Sequence, residues 1–195
     1  MSDIQQNERL DEILTALGEQ LEALEATADL VVIGGSALIA LGTIERATRD
    51  VDIVALRQGQ ELVSADPLPA QLATARDRVA RDFGLDGDWL NPGPTDLLEL
   101  GLPHGFAGRL ESRSYGPSLT VRFASRIDQI HFKLYALVDR GPGRHESDLR
   151  ALSPQSEELL TAARWARTHD PSPGFKTMLE EVLDYLEVNH GDLGA

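Results

Sequence analysis

The sequence predicts an α/β (or α+β) fold, in which a small mixed sheet is flanked by helices and followed by a helical C-terminal part. Three observations support this prediction. Two apolar, strand-like runs, 30–33 and 51–56, lie close together early in the chain. Two further alternating segments surround Gly116 and Pro117, as in a hairpin. From residue 126 onward, apolar residues recur at helical spacing.

The individual elements follow from local patterns. Residues 3–26 carry leucines and isoleucines at the helical period and are predicted to form a helix. After the strand that ends at Ile33, a short buried helix is expected, capped by Ser36 and ended by Gly42. The next predictions are a strand over 51–56, a helix over 66–84, a loop with at most short helical turns over 85–108 and a hairpin over 109–125. Four helices are predicted over 126–139, 145–152, 154–169 and 173–189.

The composition limits the kind of protein this is. At 195 residues, with 42% hydrophobic residues, the chain can bury a real core, and we predict one domain over 1–152 with a helical extension over 153–195. There are no cysteines, which excludes disulfides and thiolate chemistry. The net charge of −14 disfavours broad binding to nucleic acid. No apolar run suits a secretory signal or a membrane span, so we expect no membrane association and a cytoplasmic location.

Two aspartates open the second apolar run. Asp50 and Asp52 are two residues apart, so in a strand their side chains point to the same face, while Val51 and Ile53 point to the core. Two adjacent carboxylates repel each other unless a cation lies between them, and Mg²⁺ (or Mn²⁺) takes such oxygen ligands together with substrate phosphates. The alternative is that Asp50 caps a turn and Asp52 is merely solvated.

A glycine turn precedes these acids. Gly34, Gly35 and Ser36 lie where the first strand meets a helix, and backbone N–H groups at such a turn suit a phosphate chain. The sequence has neither the dinucleotide-binding fingerprint nor the P-loop lysine. Arg46 and Thr48, just before the acids, either contact phosphate or brace the loop. In the loop at 85–108, Trp89 either fills the core, which we favour, or stacks on a base.

The order strand, Gly-Gly-Ser, short helix and Arg-x-Thr-x-Asp-x-Asp resembles the nucleotidyltransferases of the polymerase-β type, and among them the minimal branch of AbiEii-like and MenT-like toxins. The resemblance spans residues 30–152. It implies that the glycine turn holds phosphates and that the two aspartates hold the metal. It also implies catalytic roles for Lys133 and Asp148, in "IDQIHFKLYALVDRGPGRHESDL". Asp148 would orient the lysine or act as a base; the alternative is that it is only an acid near a helix N-terminus. The alternative for Lys133 is an exposed lysine that covers the helix surface.

One departure from that family concerns a third carboxylate. The later strand "LTVRF" has none, and Glu111 is the only acid of the predicted hairpin that could replace it. By resemblance, we expect transfer of a nucleoside monophosphate from a Mg–NTP to a hydroxyl of tRNA, protein or a small molecule. A role as the toxin of a toxin–antitoxin pair, with an antitoxin partner, belongs to the same expectation. The alternative is an inactive fold that binds a nucleotide or a protein.

Overall fold

The structure, a computed structural model, describes residues 3–191 and the side chains of residues 7–191. The chain forms two compact units, Met1–Ser125 and Arg126–Ala195. The first unit contains a mixed sheet with helices and the second is helical, which confirms the predicted fold class. The predicted domains, 1–152 and 153–195, stay a prediction, because a compact unit is not necessarily a domain in the evolutionary sense.

The strands of the first unit form one sheet. Among the described residues they are β1 Ala28–Ile33, β2 Val51–Gln58, β3 Glu61–Val63, β4 Leu90–Asn91, β5 Glu111–Ser114 and β6 Leu119–Phe123. Their order is β3-β2-β1-β6-β5, and β4 pairs with the beginning of β2. Strand β1 runs antiparallel to β2 and parallel to β6. The two central strands and the hairpin were predicted; the short β3 and β4 were not.

The helices of the first unit pack around the sheet, and those after α1 lie between strands in the chain. They are α1 Asp3–Ala23, α2 Gly34–Ala40, α3 Ala70–Phe83 and α4 Asp96–Leu100, with 3₁₀ turns at Gly93–Thr95 and Phe106–Arg109. In α1, Leu14, Leu17 and Leu21 are buried, as their spacing predicts. The predicted helix over 66–84 begins later, because Pro69 occupies the N-cap position of α3. Gly84 ends that helix in the left-handed conformation.

Trp89 belongs to the core of the first unit. Its side chain is 2% exposed, and its indole N–H donates to the carbonyl oxygen of Arg76 at 3.1 Å. A buried indole requires such a partner for its one donor. The core position favoured from the sequence therefore agrees with the structure.

The second unit is made of helices α5 Arg126–Arg140, α6 Arg144–Ala151, α7 Ser156–His169 and α8 Pro173–Tyr185. The predicted helices are confirmed to within a few residues at their ends. The apolar spacing of α5 predicts a buried stripe of Ile127, Ile130, Leu134 and Val138 with Lys133 on its flank, and the structure differs from this in two places. Ile127 is 41% exposed, whereas Lys133, expected on the flank, is buried. Helix α5 buries every residue from 128 to 134, so packing on more than one side replaces the single stripe that the periodicity predicts.

None of the helices that the structure describes combines the length and the apolar character needed to cross a lipid bilayer.

Candidate nucleotide and metal site

The glycine turn at the end of β1 lies directly against the segment that carries the aspartates. Gly34 has a φ of +76°, which favours glycine. A Cβ atom at Gly34 would overlap the carboxylate of Asp52, and one at Gly35 would lie 2.9 Å from the hydroxyl of Thr48. Gly34 is therefore favoured by its backbone conformation and by close approach, and Gly35 by close approach alone. The two motifs that the sequence separates by about a dozen residues form one site.

Strand pairing explains this meeting. In the antiparallel pair of β1 and β2, Ile33 lies opposite Asp52, so the end of one strand is beside the beginning of the other. Val51 and Ile53 are buried in the core, whereas Asp50 and Asp52 are only half-buried. The alternation predicted over 51–56 holds only at the start of the strand: Asp52 is half-buried between two buried residues, but 54–56 are all buried, so both faces of β2 are covered there. Both acids lie at the less covered beginning of β2.

Each carboxylate is oriented by a neutral donor. Thr48 donates from its hydroxyl to Oδ1 of Asp50 at 3.2 Å. Asn91 donates from its amide to Oδ1 of Asp52 at 2.8 Å. These two hydrogen bonds fix the direction of the carboxylates, because each uses one lone pair of a carboxylate oxygen and holds its plane.

Asn91 is a site residue that the sequence analysis missed. It lies on β4, where it pairs with Asp52 in parallel register, and its own Oδ1 accepts from the backbone N–H of Gly93 at 2.9 Å. The only local signal is the Asn-Pro-Gly run, which indicates a turn. That signal does not identify the strand against which the turn packs.

Arg46 places a guanidinium beside the turn. Its Nη2 lies 3.8 Å from the position that a Cβ of Gly35 would take, and its Nη1 donates to the carbonyl oxygen of Ala47 at 3.4 Å. The side chain is exposed. This geometry is compatible with both roles left open for Arg46, contact with phosphate and support of the loop.

The prediction that Ser36 caps the short helix was wrong. Helix α2 begins at Gly34, with Ile33 at the N-cap position and no side-chain cap, so Ser36 is the third helical residue. Its hydroxyl is fully buried and has no hydrogen-bond partner among the described residues. A phosphate would reach this hydroxyl only if the turn opened.

Gly42 ends the same helix as predicted. It has a φ of +67°, and its N–H donates to the carbonyl oxygen of Ile39 at 2.9 Å. The N–H of Thr43 donates to the carbonyl oxygen of Leu38, also at 2.9 Å. These two bonds form a Schellman motif.

Lys133 and Asp148 meet in the helical unit. The ammonium of Lys133 donates to Oδ2 of Asp148 at 2.7 Å, and the two side chains are 7% and 1% exposed. The interpretation of Lys133 as an exposed surface lysine is therefore wrong. Asp148 lies in the middle of α6, which does not fit an acid near a helix N-terminus, and its contact agrees with the alternative in which it orients the lysine.

His145 lies near this ion pair. Burial, followed by the positive charges of Lys133, Arg144 and Arg140, lowers the pKa of His145 to about 4. The imidazole is therefore neutral at neutral pH. Cations collect around one end of α5 and the start of α6.

Glu111 is poorly placed to complete the pair of aspartates. It is exposed on β5, and both β1 and β6 lie between that strand and β2. Three strand spacings correspond to roughly 14 Å, which exceeds the reach of two carboxylates on one ion. Within residues 3–191, no group of three or more acids or histidines is arranged to hold a metal. A metal at this site would need ligands from a substrate in addition to the two aspartates.

Comparison with known families identifies the chain. Residues 10–140 match the model of a family described as "Nucleotidyltransferase of unknown function (DUF6036)". The chain belongs to this nucleotidyltransferase family. The match covers the glycine turn, both aspartates and Lys133, but ends before Asp148. No curated protein and no solved structure matched the chain.

Membership of this nucleotidyltransferase family supports the coarse part of the sequence prediction, a nucleotidyltransferase with an NTP as substrate. The narrower resemblance to AbiEii-like and MenT-like toxins stays a prediction.

Proposed function

We propose that the chain binds a Mg–NTP at the site formed by Gly34, Gly35, Asp50 and Asp52, and transfers the nucleoside monophosphate to a hydroxyl acceptor. The observation that carries this proposal is the contact between the glycine turn and the carboxylate of Asp52, which is so close that a Cβ at Gly34 would overlap the carboxylate. A phosphate chain on the turn would therefore lie beside the carboxylates, and a divalent cation is the group that makes such an arrangement favourable.

Asp50 and Asp52 fit Mg²⁺ or Mn²⁺ by their chemistry. They supply hard oxygen ligands from the half-buried beginning of β2, and these cations commonly take one or two carboxylates together with phosphates and water. When bound, the ion supplies neutralisation of phosphate charge and Lewis-acid polarisation. Thr48 and Asn91 hold the carboxylates in place through the hydrogen bonds described above.

The phosphates would be bound by neighbouring groups of the same loop. Arg46 provides a guanidinium near Gly35, and the lack of side chains at the two glycines lets phosphate oxygens approach the backbone. In the transfer, the acceptor oxygen forms a bond to the α-phosphorus, the bond to the bridging oxygen breaks, and pyrophosphate leaves. The proton of the acceptor hydroxyl passes to solvent.

For Lys133 and Asp148, the proposal rests on the family resemblance and on their mutual contact. Lys133 would neutralise charge on the phosphates. Asp148 is buried and accepts from Lys133 at 2.7 Å, so we assign it the positioning of the lysine rather than the role of a base. This choice follows from geometry, because a general base must reach the proton that it removes.

The identity of the hydroxyl acceptor is proposed from the family resemblance. The resemblance to toxin nucleotidyltransferases suggests a tRNA end, with proteins and small molecules as other acceptors, and a cognate antitoxin as partner. The net charge of −14 makes a long RNA contact unfavourable outside local clusters of arginine. A short acceptor end is therefore the form of RNA that best suits this chain.

The second candidate function is an inactive fold that binds a nucleotide or a protein. The position of Glu111 favours it, because neither β6 nor the exposed β5 provides a third carboxylate close to β2. Without such a group, the site could bind a metal–nucleotide complex and fail to activate an acceptor.

A labelling experiment separates the two candidates. The protein is incubated with each of four α-³²P-labelled NTPs, Mg²⁺ and either cellular RNA or a protein extract. Transfer of label that is lost in Asp52→Asn and kept in Asp82→Asn, an exposed acid on α3, supports the enzyme. Binding of NTP without transfer supports the second candidate. If no NTP binds in the presence of Mg²⁺, the enzyme and the nucleotide-binding form of the second candidate are both wrong.

A further inference from the structure

A cavity in the first unit adjoins the segment that carries Asp50. It has a volume of about 170 Å³ and lies between α1, α2, the loop that precedes β2 and the residues around β4. We call it the Trp89 cavity. Its apolar lining consists of Leu10, Ile13, Ile39, Val51, Leu85 and Trp89.

The size and lining of the Trp89 cavity suit one ring system. Pockets for drug-sized ligands measure about 300–1,000 Å³ and are largely apolar with a few polar groups. At about 170 Å³ the Trp89 cavity is smaller than that range. An apolar enclosure of this size takes a flat ring and leaves its substituents outside.

The rim of the Trp89 cavity is polar and carries two arginines. Arg9 and Arg49 are both exposed, and neither guanidinium forms an ion pair or a hydrogen bond within the described part of the chain. A guanidinium stacks readily on the face of an aromatic ring, and it also attracts anions. Thr48 and Asp50 complete the rim with hydrogen-bonding groups. A ring with π faces and a polar edge therefore matches this lining better than a purely aliphatic group.

The Trp89 cavity adjoins the proposed phosphate site through Thr48 and Asp50. Thr48 lines the cavity and also lies against Gly35, and Asp50 lines the cavity as well as accepting a hydrogen bond from Thr48. One ligand that places phosphates on the glycine turn could therefore place a ring in the cavity. We propose that the Trp89 cavity binds the nucleobase of the NTP. This inference rests on the proposed function and names the part of the substrate that the site selects.

The experiment compares ligands that contain only parts of an NTP. Binding of the four NTPs, the four nucleosides and inorganic tripolyphosphate, each with Mg²⁺, is measured by calorimetry and by saturation-transfer NMR. Ile13→Phe fills the cavity, and Arg9→Gln and Arg49→Gln alter its rim without touching the core. Arg81→Gln, on the exposed side of α3, is the matched control.

We expect at least one NTP to bind at least tenfold more tightly than tripolyphosphate. Ile13→Phe should remove that difference while leaving the affinity for tripolyphosphate unchanged. The two rim variants should weaken NTP binding severalfold, and the control should not. If Ile13→Phe is unfolded by circular dichroism, the rim variants decide the question.

The two proposals fail in different ways. Equal binding of NTPs and tripolyphosphate, or an NTP preference that survives in Ile13→Phe and in both rim variants, overturns the Trp89 cavity as the base site and leaves the phosphate site standing. Nucleoside binding that these variants abolish, without any binding of tripolyphosphate, supports the cavity and overturns the proposed phosphate site. Absence of binding by every ligand overturns both. Binding of a nucleoside that does not compete with any NTP indicates an aromatic acceptor in the cavity and contradicts the assignment to the NTP.

Discussion

The substitution Gly34→Ala tests the contact between the glycine turn and the acids. Gly34 and Gly42 lie near the two ends of α2 and have similar positive φ values, +76° and +67°. A Cβ at Gly42 would meet no atom within 4 Å, whereas one at Gly34 would overlap the carboxylate of Asp52. Gly42→Ala therefore carries the backbone strain alone, and Gly34→Ala carries the strain together with the collision.

The expected magnitudes follow from these two contributions. An alanine in the left-handed region costs about 1–2 kcal/mol, so Gly42→Ala should lower the free energy of unfolding by that amount. Gly34→Ala also displaces a carboxylate that accepts from Asn91 at 2.8 Å. A hydrogen bond to a charged group is worth about 1.5–3 kcal/mol, so we expect a total loss of about 2.5–5 kcal/mol.

Urea unfolding of the single variants and of the double variant Gly34→Ala/Asp52→Ala provides the assay. Removing the carboxylate removes the collision, so the double variant should be more stable than the sum of the single effects predicts, by about 1.5–3 kcal/mol. Equal losses for Gly34→Ala and Gly42→Ala, together with additive effects in the double variant, would show that the turn does not contact Asp52.

Further predictions concern the residues around the site and the ion pair in the helical unit. Lys133→Met should lower the free energy of unfolding by about 3–5 kcal/mol, because it leaves the carboxylate of Asp148 buried without the ammonium of Lys133. Lys133→Met/Asp148→Leu should recover most of the loss in urea unfolding. The NMR signals of His145, whose pKa is lowered to about 4 by burial and nearby cations, should stay unchanged between pH 8 and 5.5. The pKa of His145 is lower in the folded than in the unfolded protein, so its contribution to stability is present above pH 6.5 and is lost as the pH falls towards 4. A titration midpoint near 6.5 in the folded protein would contradict this prediction. Asn91→Ala should weaken binding of Mg–NTP about tenfold in calorimetry by releasing Asp52, while a variant that binds as well as the wild type would show that the amide does not support the metal site.

The sequence predicted the elements that local patterns encode. The apolar run over 51–56 predicted β2, the helical period predicted α1, and two glycines after an apolar run predicted the turn at Gly34. Because β1 and β2 pair as neighbours, the turn and the aspartates could be expected to meet. The fold class and the order of these parts were therefore accessible from the chain alone.

Other features depend on packing between distant parts of the chain. Strand β4 has two residues and no periodicity, so neither its pairing with β2 nor the contact of Asn91 with Asp52 could be predicted. The burial of Lys133 differs from the predicted stripe because α5 is covered on more than one side. Ser36 fits the rule for a capping residue, but Gly34 begins the helix two residues earlier.

The central claim is that Asp50 and Asp52 share one divalent cation with the phosphates of an NTP. Electron–nuclear double resonance on Mn²⁺ tests it most directly, with NTP and with protein labelled with ¹³C at the aspartate carboxyl carbons. We predict that a single protein-bound Mn²⁺ couples to both ³¹P and ¹³C, and that the ¹³C coupling is reduced in Asp50→Asn and in Asp52→Asn and lost when both are changed. A ³¹P coupling without any ¹³C coupling, or ¹³C coupling that persists in the double variant, would contradict the proposed site.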